Sequence, residues 1–213
     1  MNIKNLNFTA KIDEIDITLD EYYVKPTYLS HISVHSSDLN MLDGCVIHKS
    51  VKYIFQDNLR KFKDIVESYD LYSALYDGMY IINIACFNKK YKFVLFMLNG
   101  ILKKSNNWKN FHHIIDSLCD KNGRKIQHYA VLSGDITLID LLTSFRLNWN
   151  RKDNDGDTPL HYAVINGDIA VTKKLLNCNT SPYIKNKRNI TPFDCSINDK
   201  QIRKVFMIKS IDV

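Results

Sequence analysis

Two histidine pairs are the residues of this sequence whose types and spacing could hold a metal ion. His31 and His35 are four residues apart, the spacing that places two imidazoles on the same side of a helix. No glutamate follows His31, no third ligand falls at a matching distance, and the intervening Ile-Ser-Val is as typical of a strand as of a helix. His112 and His113 are flanked by apolar residues and are predicted to lie on a helix surface. We therefore predict no metal site.

The motifs of nucleophilic and phosphate chemistry are also absent from the sequence. It contains no glycine-rich phosphate loop, no Gly-x-Ser-x-Gly turn and no local Cys-His signature. An enzyme would have to place its site in residues 1–75, where recognisable motifs are fewest. The five cysteines are scattered without a Cys-x-x-Cys pair, which is typical of a reducing compartment. We predict a cytoplasmic or nuclear protein that is not an enzyme and has no cofactor.

Composition favours an ordinary soluble protein with one continuous core. Of the 213 residues, 45% are apolar and 24% are charged. The first five residues begin no apolar signal region, and the longest apolar run, residues 93–98, is far too short to cross a bilayer. We therefore expect no association with a membrane.

A period of 33 residues is the most specific pattern in the chain, and it implies a stack of similar units. The residue types that recur at this distance are Gly123 and Gly156, His128 and His161, Ala130 and Ala163, and Gly134 and Gly167. A period that is held by several residue types is much stronger than a single motif match, because each type has its own structural reason to recur.

Residues 153–163 form the clearest unit, Asp-Asn-Asp-Gly-Asp-Thr-Pro-Leu-His-Tyr-Ala. Gly156 allows the positive φ of a tight turn. Thr158 is predicted to be a helix N-cap and Pro159 the first helical residue, where its missing N–H is not needed. Leu160 and Ala163 are predicted to face the interior, because they follow the turn on the apolar side of the helix.

The period continues towards the C-terminus. Thr191-Pro192 repeats the helix start of Thr158-Pro159. Asn189 takes the position of the turn glycine and also tolerates the left-handed conformation. Residues 199–208 are predicted to form a polar, charged helix, as expected of a terminal capping repeat.

Towards the N-terminus the pattern is weaker. Asp77-Gly78 precedes an apolar segment, with Asn83 on the histidine position, but Gly78 lies 45 residues before Gly123. For the twelve additional residues we expect a polar loop around 103–108 and an extra helical turn or two before the next unit. Asp43-Gly44 is interpreted as the start of a further repeat, with the apolar face of its second helix in residues 59–66.

The whole pattern resembles the ankyrin repeat, in which a glycine turn is followed by Thr-Pro-Leu-His-x-Ala, a second glycine and Leu-Leu. The resemblance covers roughly residues 41–208 and implies an all-α solenoid of four to five helix-turn-helix units with β-hairpin finger loops. It also implies hydrogen bonds from His161 within and between finger turns. The expected function is binding of a protein partner by a chain that is monomeric when free. The implied domains are an N-terminal cap or flexible arm at 1–40, repeats near 41–75, 76–119, 120–152 and 153–185, and a C-terminal cap at 186–213.

Within the ankyrin family, the chain is most similar to short viral IκB-like proteins of the vankyrin type. The resemblance rests on the small size, the degenerate first repeats, the extended unit between Gly78 and Gly123, and the motifs at 153–161 and 186–192. It implies that the chain binds a Rel/NF-κB dimer, keeps it off DNA and suppresses host immune signalling. The alternative is an ankyrin adaptor for another host protein, with an anti-apoptotic, host-range or ubiquitin-ligase role. Binding of nucleic acid is less expected.

Charge is unevenly distributed over the chain and suggests the binding face. The formal net charge is +6, with fifteen basic and ten acidic residues in 120–213, whereas residues 1–40 carry three basic and six acidic residues. Basic residues concentrate at the predicted finger tips, where they could meet an acidic protein. The predicted partner-binding residues are Lys121, Arg124, Tyr129, Arg151, Lys152, Asn154, Tyr162, Lys185, Lys187 and Arg188. For Tyr129 and Tyr162 the predicted role is that of aromatic anchors on the concave face.

Overall fold

The structure, a computed structural model, describes residues 42–209 and the side chains of residues 46–207. The predicted N-terminal cap or arm at 1–40, the His31–His35 pair and the acidic residues of that segment lie outside the described residues.

Helices dominate the described chain. In chain order the elements are α1 Leu42–Phe55, α2 Leu59–Tyr69, a short 3₁₀ turn Leu71–Ser73, β1 Leu75–Tyr76, β2 Met79–Tyr80, α3 Ile81–Phe87, α4 Tyr91–Ser105, α5 Trp108–Ser117, α6 Ile126–Ser133, α7 Ile136–Ser144, α8 Pro159–Ile165, α9 Ile169–Asn177, α10 Pro192–Cys195 and α11 Lys200–Lys209. No helix among them is both long enough and apolar enough to cross a membrane.

The helices form two parallel rows. Each inner helix packs on the next one in the order α1, α3, α6, α8 and α10, and the outer helices α4, α7, α9 and α11 do the same on the other side. Each unit therefore contacts its neighbours in sequence, which is the architecture of a solenoid. We call the loops that precede α3, α6, α8 and α10 the first, second, third and fourth finger, at residues 75–80, 120–125, 153–158 and 186–191.

The start of α8 confirms the predicted roles of its first residues. Thr158 occupies the N-cap position with extended backbone, and Pro159 is the first helical residue. Leu160 and Ala163 have no exposed surface. The same burial is found for Ala130, Ile139, Leu142 and Leu175 in the helices of this repeat and the one before it. Removing such a leucine from water contributes about 1.5–3 kcal/mol, so the inward faces of the repeats carry much of the stability.

The first finger is a regular two-residue β-hairpin. Tyr76 pairs with Met79, and the two residues between them, Asp77 and Gly78, have φ angles of 49° and 73°. Positive φ at both central positions is the type I′ geometry for which Asp-Gly is favoured. Within the described residues this is the finger that forms strands, whereas the later fingers close by turns with hairpin-like hydrogen bonds.

The prediction for Asp43-Gly44 was wrong. Both residues lie inside α1, which runs without interruption from Leu42 to Phe55, so this unit does not begin with a finger turn. Helix periodicity overrides the turn preference of the dipeptide, because the segment carries apolar residues at helical spacing. The second helix of the unit was predicted correctly, since Phe62 and Val66 of α2 are fully buried.

The twelve additional residues form more structure than predicted. The outer helix α4 is 15 residues long, and a complete further helix, α5, of 10 residues follows it. Asn106 reverses the chain with a φ of 60°, and the side chain of Asn107 caps α5 by accepting from the N–H of Asn110 at 2.8 Å. His112, predicted to lie on the helix surface, is half-buried, and its Nε2 lies 3.1 Å from the carbonyl oxygen of Phe145.

Candidate protein-binding surface on the fingers

Each of the later fingers is organised by one polar side chain at its first position. In the third finger, the carboxylate of Asp153 accepts the backbone N–H groups of Asp155 and Asp157 at 2.9 and 2.8 Å. In the second finger, Asp120 accepts those of Asn122 and Arg124 at 2.9 and 2.8 Å. This is the Asx-turn arrangement, in which a side-chain oxygen holds the turn that follows it.

The fourth finger uses an amide for the same task. The Oδ1 of Asn186 accepts the N–H groups of Arg188 and Ile190, both at 3.0 Å. Its Nδ2 donates to Oδ1 of Asp157 in the preceding finger at 2.6 Å. The amide therefore fixes its own turn and also joins it to the neighbouring finger, which an aspartate at this position could not do.

The fingers are also joined through their backbones. The N–H of Asn154 donates to the carbonyl of Asn122, and that of Lys187 to the carbonyl of Asp155, both at 2.9 Å. The distance between the fingers is short at Gly156, where an added Cβ would lie 2.9 Å from the nitrogen of Lys187. Gly156 is thus required both for its φ of 80° and for the space that its missing side chain leaves.

The inner helices α6 and α8 each carry one buried histidine that connects the helix to the finger that follows it. The resemblance implied this role for His161. The Nδ1 of His161 accepts the N–H of Thr158 at 3.0 Å, so its proton is on Nε2, which donates to the carbonyl of Ile190 at 3.1 Å. His128 repeats this arrangement with Lys125 and Asp157. Burial lowers the pKa of His161, and it lowers the pKa of His128 to about 4, so both imidazoles are neutral at pH 7.

The predicted exposure of Tyr129, Tyr162 and Arg124 was wrong. Tyr129 is 1% exposed and Tyr162 is 8% exposed, and their hydroxyls donate to the carboxylates of Asp120 and Asp153. Arg124 is buried as well, and its Nε donates to Asp120 at 2.7 Å. Tyr129 and Tyr162 occupy the same inner-helix position, which points into the finger, whereas Arg124 lies within the second finger itself.

Four of the predicted lysines remain at the surface of the fingers, namely Lys121, Lys152, Lys185 and Lys187. Asn154 is exposed too, although its Nδ2 donates to the carbonyl of Lys121 at 3.0 Å. We define these five residues as the finger surface. Lys121, Asn154 and Lys187 lie in the second, third and fourth fingers, and Lys152 and Lys185 directly precede the third and fourth, so a ligand that lies across the fingers meets a lysine in or beside each of them.

The two remaining arginines are partly neutralised by carboxylates. Arg151 is half-buried and pairs with Asp116 of α5. Arg188 is 63% exposed in its side chain, and its Nη2 lies 3.9 Å from Oδ2 of Asp157. We therefore leave both outside the finger surface, although Arg188 still adds to the positive potential of the fourth finger.

The prediction from sequence did not single out the exposed aromatic side chains of Tyr183 and Trp108. Tyr183 is 68% exposed and lies three residues before the fourth finger, and Trp108 is 43% exposed at the start of α5. Tyr183 has no equivalent in the 33-residue period, so the period could not reveal it. Its position two residues before Lys185 is a signal that was present in the sequence.

The described residues do not suggest a catalytic centre. No group of three or more His, Cys, Asp or Glu side chains in residues 46–207 could hold a metal ion. The buried histidines and carboxylates of the fingers have their hydrogen-bonding atoms directed at backbone groups and tyrosine hydroxyls. What this arrangement can do is hold a row of exposed side chains at fixed positions.

Paired helices and repeated fingers of this kind define a helical repeat protein that presents a surface for recognition. Residues 111–176 match the sequence profile of the family described as ankyrin repeats (many copies). No curated protein matches the chain. The predicted all-α ankyrin solenoid is confirmed, and ankyrin repeats are protein–protein interaction modules, typically without enzymatic activity.

Proposed function

We propose that the chain recognises its protein partner with the finger surface. The observation that carries this proposal is the contrast between the base and the tip of each finger. The base is nearly the same in the second, third and fourth fingers, where Asp120, Asp153 and Asn186 make equivalent hydrogen bonds. The exposed tips differ between fingers, and rigid loops with variable tips are a common basis of specific recognition.

A comparison of variants tests this proposal. The tip variant carries Lys121→Glu and Lys152→Glu, and the control carries Lys173→Glu on the exposed side of α9. Both changes reverse charge on the surface and should leave the fold intact. We expect partners captured from a host-cell lysate by the wild type to be captured by the α9 control and lost by the tip variant. Equal capture by all three proteins would exclude the finger surface as the binding site.

The more specific function that we propose is that of an IκB-like inhibitor, which holds a Rel/NF-κB dimer off DNA and so suppresses host immune signalling. It is supported by the resemblance of 153–161 and 186–192 to the short viral ankyrin proteins, and by the extended unit that ends in α5. The lysines of the finger surface oppose it, because the nuclear-localisation and DNA-binding surfaces of Rel proteins are basic and like charges repel.

The inhibitor hypothesis has a direct test. Purified chain should displace a Rel-homology dimer from its DNA site, and reversal of charge at Lys185, Lys187 and Arg188 should leave the affinity unchanged or raise it. If folded protein at micromolar concentration binds no Rel dimer, the inhibitor role is excluded.

The second candidate is an adaptor that binds an acidic protein with another host function. It is favoured by the four exposed lysines, which lie in or directly before neighbouring fingers. The same triple charge reversal should then weaken binding and flatten its dependence on salt, mainly through slower association. The sign of the effect of one variant thus separates the two candidates.

A further inference from the structure

Exposed and covered side chains alternate over residues 183–187, where the chain enters the fourth finger. Tyr183, Lys185 and Lys187 are exposed, whereas Ile184 is half-buried and Asn186 is buried. Tyr183 and Lys187 lie in turns on either side of residues 184–186, so the three exposed side chains fall within five consecutive residues. We call Tyr183, Lys185 and Lys187 the Tyr183 patch.

The patch is held in place from both ends. The backbone of Lys187 is tied to the third finger through Asp155, and the carbonyl of Lys185 accepts from Nζ of Lys152 at 2.7 Å. The ring of Tyr183 lies 6.3 Å, centroid to centroid, from that of Phe193 on α10. A partner would therefore meet a segment whose backbone is already fixed, which reduces the entropy lost on binding.

Positive charge exceeds negative charge around the patch. Lys152 and Arg188 join its two lysines, against nearby carboxylates that belong to Asp155, Asp157 and Asp194. The carboxylate of Asp194 already accepts both the N–H and the hydroxyl of Thr191, at 2.9 and 2.7 Å. These hydrogen bonds, with further help from Lys185 and Arg203, lower the pKa of Asp194. The local excess of cations fits an acidic ligand.

We propose that the Tyr183 patch binds an acidic protein segment that carries an apolar side chain, with Tyr183 as the anchor. The inference rests on the finger surface proposed above and names both the partner chemistry and a residue outside that surface. A tyrosine supplies a large, rigid contact area, and such aromatic residues dominate binding energies, whereas the lysines accelerate the encounter. Single-stranded nucleic acid fits less well, because it stacks successive bases on several rings and the patch exposes one.

The experiment uses the full chain and two fluorescent peptides. One is rich in glutamate and has a single central leucine, and the other has serine in place of the leucine. Binding is measured by anisotropy over a range of salt concentrations. Tyr183→Ser is the test variant, and Tyr69→Ser, which removes another exposed tyrosine on α2, is its matched control. A Lys185→Glu, Lys187→Glu variant tests the charge, with Lys173→Glu as control.

We expect Tyr183→Ser to weaken binding of the leucine peptide by about tenfold and to leave the serine peptide nearly unchanged, because the ring contributes apolar contact. The double lysine variant should weaken both peptides and reduce their salt dependence. Equal affinity of wild type and Tyr183→Ser for the leucine peptide would overturn the proposal that Tyr183 anchors the ligand. The finger surface would still stand if Lys121→Glu and Lys152→Glu weakened the peptide, so the two proposals fail separately.

Two further outcomes would overturn the proposal. One is tighter binding of single-stranded DNA than of either peptide. The other is a gain of about tenfold in peptide affinity when the five acidic residues of 13–21 are changed to amides, because the surface would then be occupied by the chain's own acidic segment.

Discussion

The hydroxyl of Tyr162 donates a 2.6 Å hydrogen bond to Oδ2 of Asp153, nine residues earlier in the chain. Tyr129 and Asp120 form the same bond one repeat earlier, at 2.8 Å. Each bond joins an inner helix to the finger that precedes it, and burial of the hydroxyl raises the pKa of Tyr162. The tyrosine is therefore a structural part of the finger.

Replacing Tyr162 by phenylalanine should lower the free energy of unfolding by about 1–3 kcal/mol, because a charged, buried acceptor loses a donor. Urea denaturation followed by circular dichroism measures the change. Tyr183→Phe, at an exposed site, is the control and should leave stability unaltered. Equal midpoints for the two variants would show that the bond between Tyr162 and Asp153 contributes nothing.

Replacing Gly156 by alanine should destabilise more than the same change at Gly78. Both residues have positive φ, at 80° and 73°, so both variants strain the backbone by about 1 kcal/mol. At Gly156 the new Cβ would also displace the N–H of Lys187, whose hydrogen bond contributes about 1 kcal/mol, whereas Gly78 has no atom within 4 Å of such a Cβ. Thermal melting of both variants measures the difference, and equal losses would contradict the close approach of the fingers.

Stability should fall as the pH is lowered from about 6.5 to about 4, in part because of His128. Its pKa is about 4 in the folded chain and 6.5 when unfolded, so the unfolded state binds the extra proton in this range. The contribution is complete above pH 6.5, and its loss amounts to about 3 kcal/mol by pH 4. Urea midpoints against pH should be flatter for His128→Gln than for the wild type. His113→Gln, on the exposed side of α5, should retain the wild-type slope.

Replacing Leu160 by alanine should destabilise the chain by about 2–4 kcal/mol, since the residue has no exposed surface and its loss leaves a cavity. Ile165→Ala, at the 40% exposed end of α8, is the control and should lose less than half as much. Chemical denaturation measures both. A similar loss for the two variants would mean that the core does not lie where the repeat register places it.

The residues that follow the 33-residue period were predictable from sequence, because each type there has one local reason to recur. Thr158, Pro159 and Gly156 behave as expected from capping and turn chemistry alone. The direction of Tyr129 was not predictable in this way, since it depends on a carboxylate nine residues away that recurs with the same period.

Where the period is interrupted, local patterns gave incomplete answers. Asn83 stands on the histidine position but reaches the carbonyl of Leu118 at 3.4 Å, and its buried Oδ1 has no hydrogen-bond partner among the described residues. The shorter side chain cannot span to the next finger as an imidazole does. The full length of α5 was likewise hidden, because its polar surface residues resemble those of a loop.

The backbone bonds between neighbouring fingers have a consequence for how this surface can change. Because the connections at Asn122–Asn154 and Asp155–Lys187 involve main-chain atoms, they do not depend on which side chains the tips carry. Positions 121, 152, 185 and 187 can therefore be randomised in a display library without dismantling the framework. New specificities could be selected from such a library while the melting temperature stays close to that of the parent.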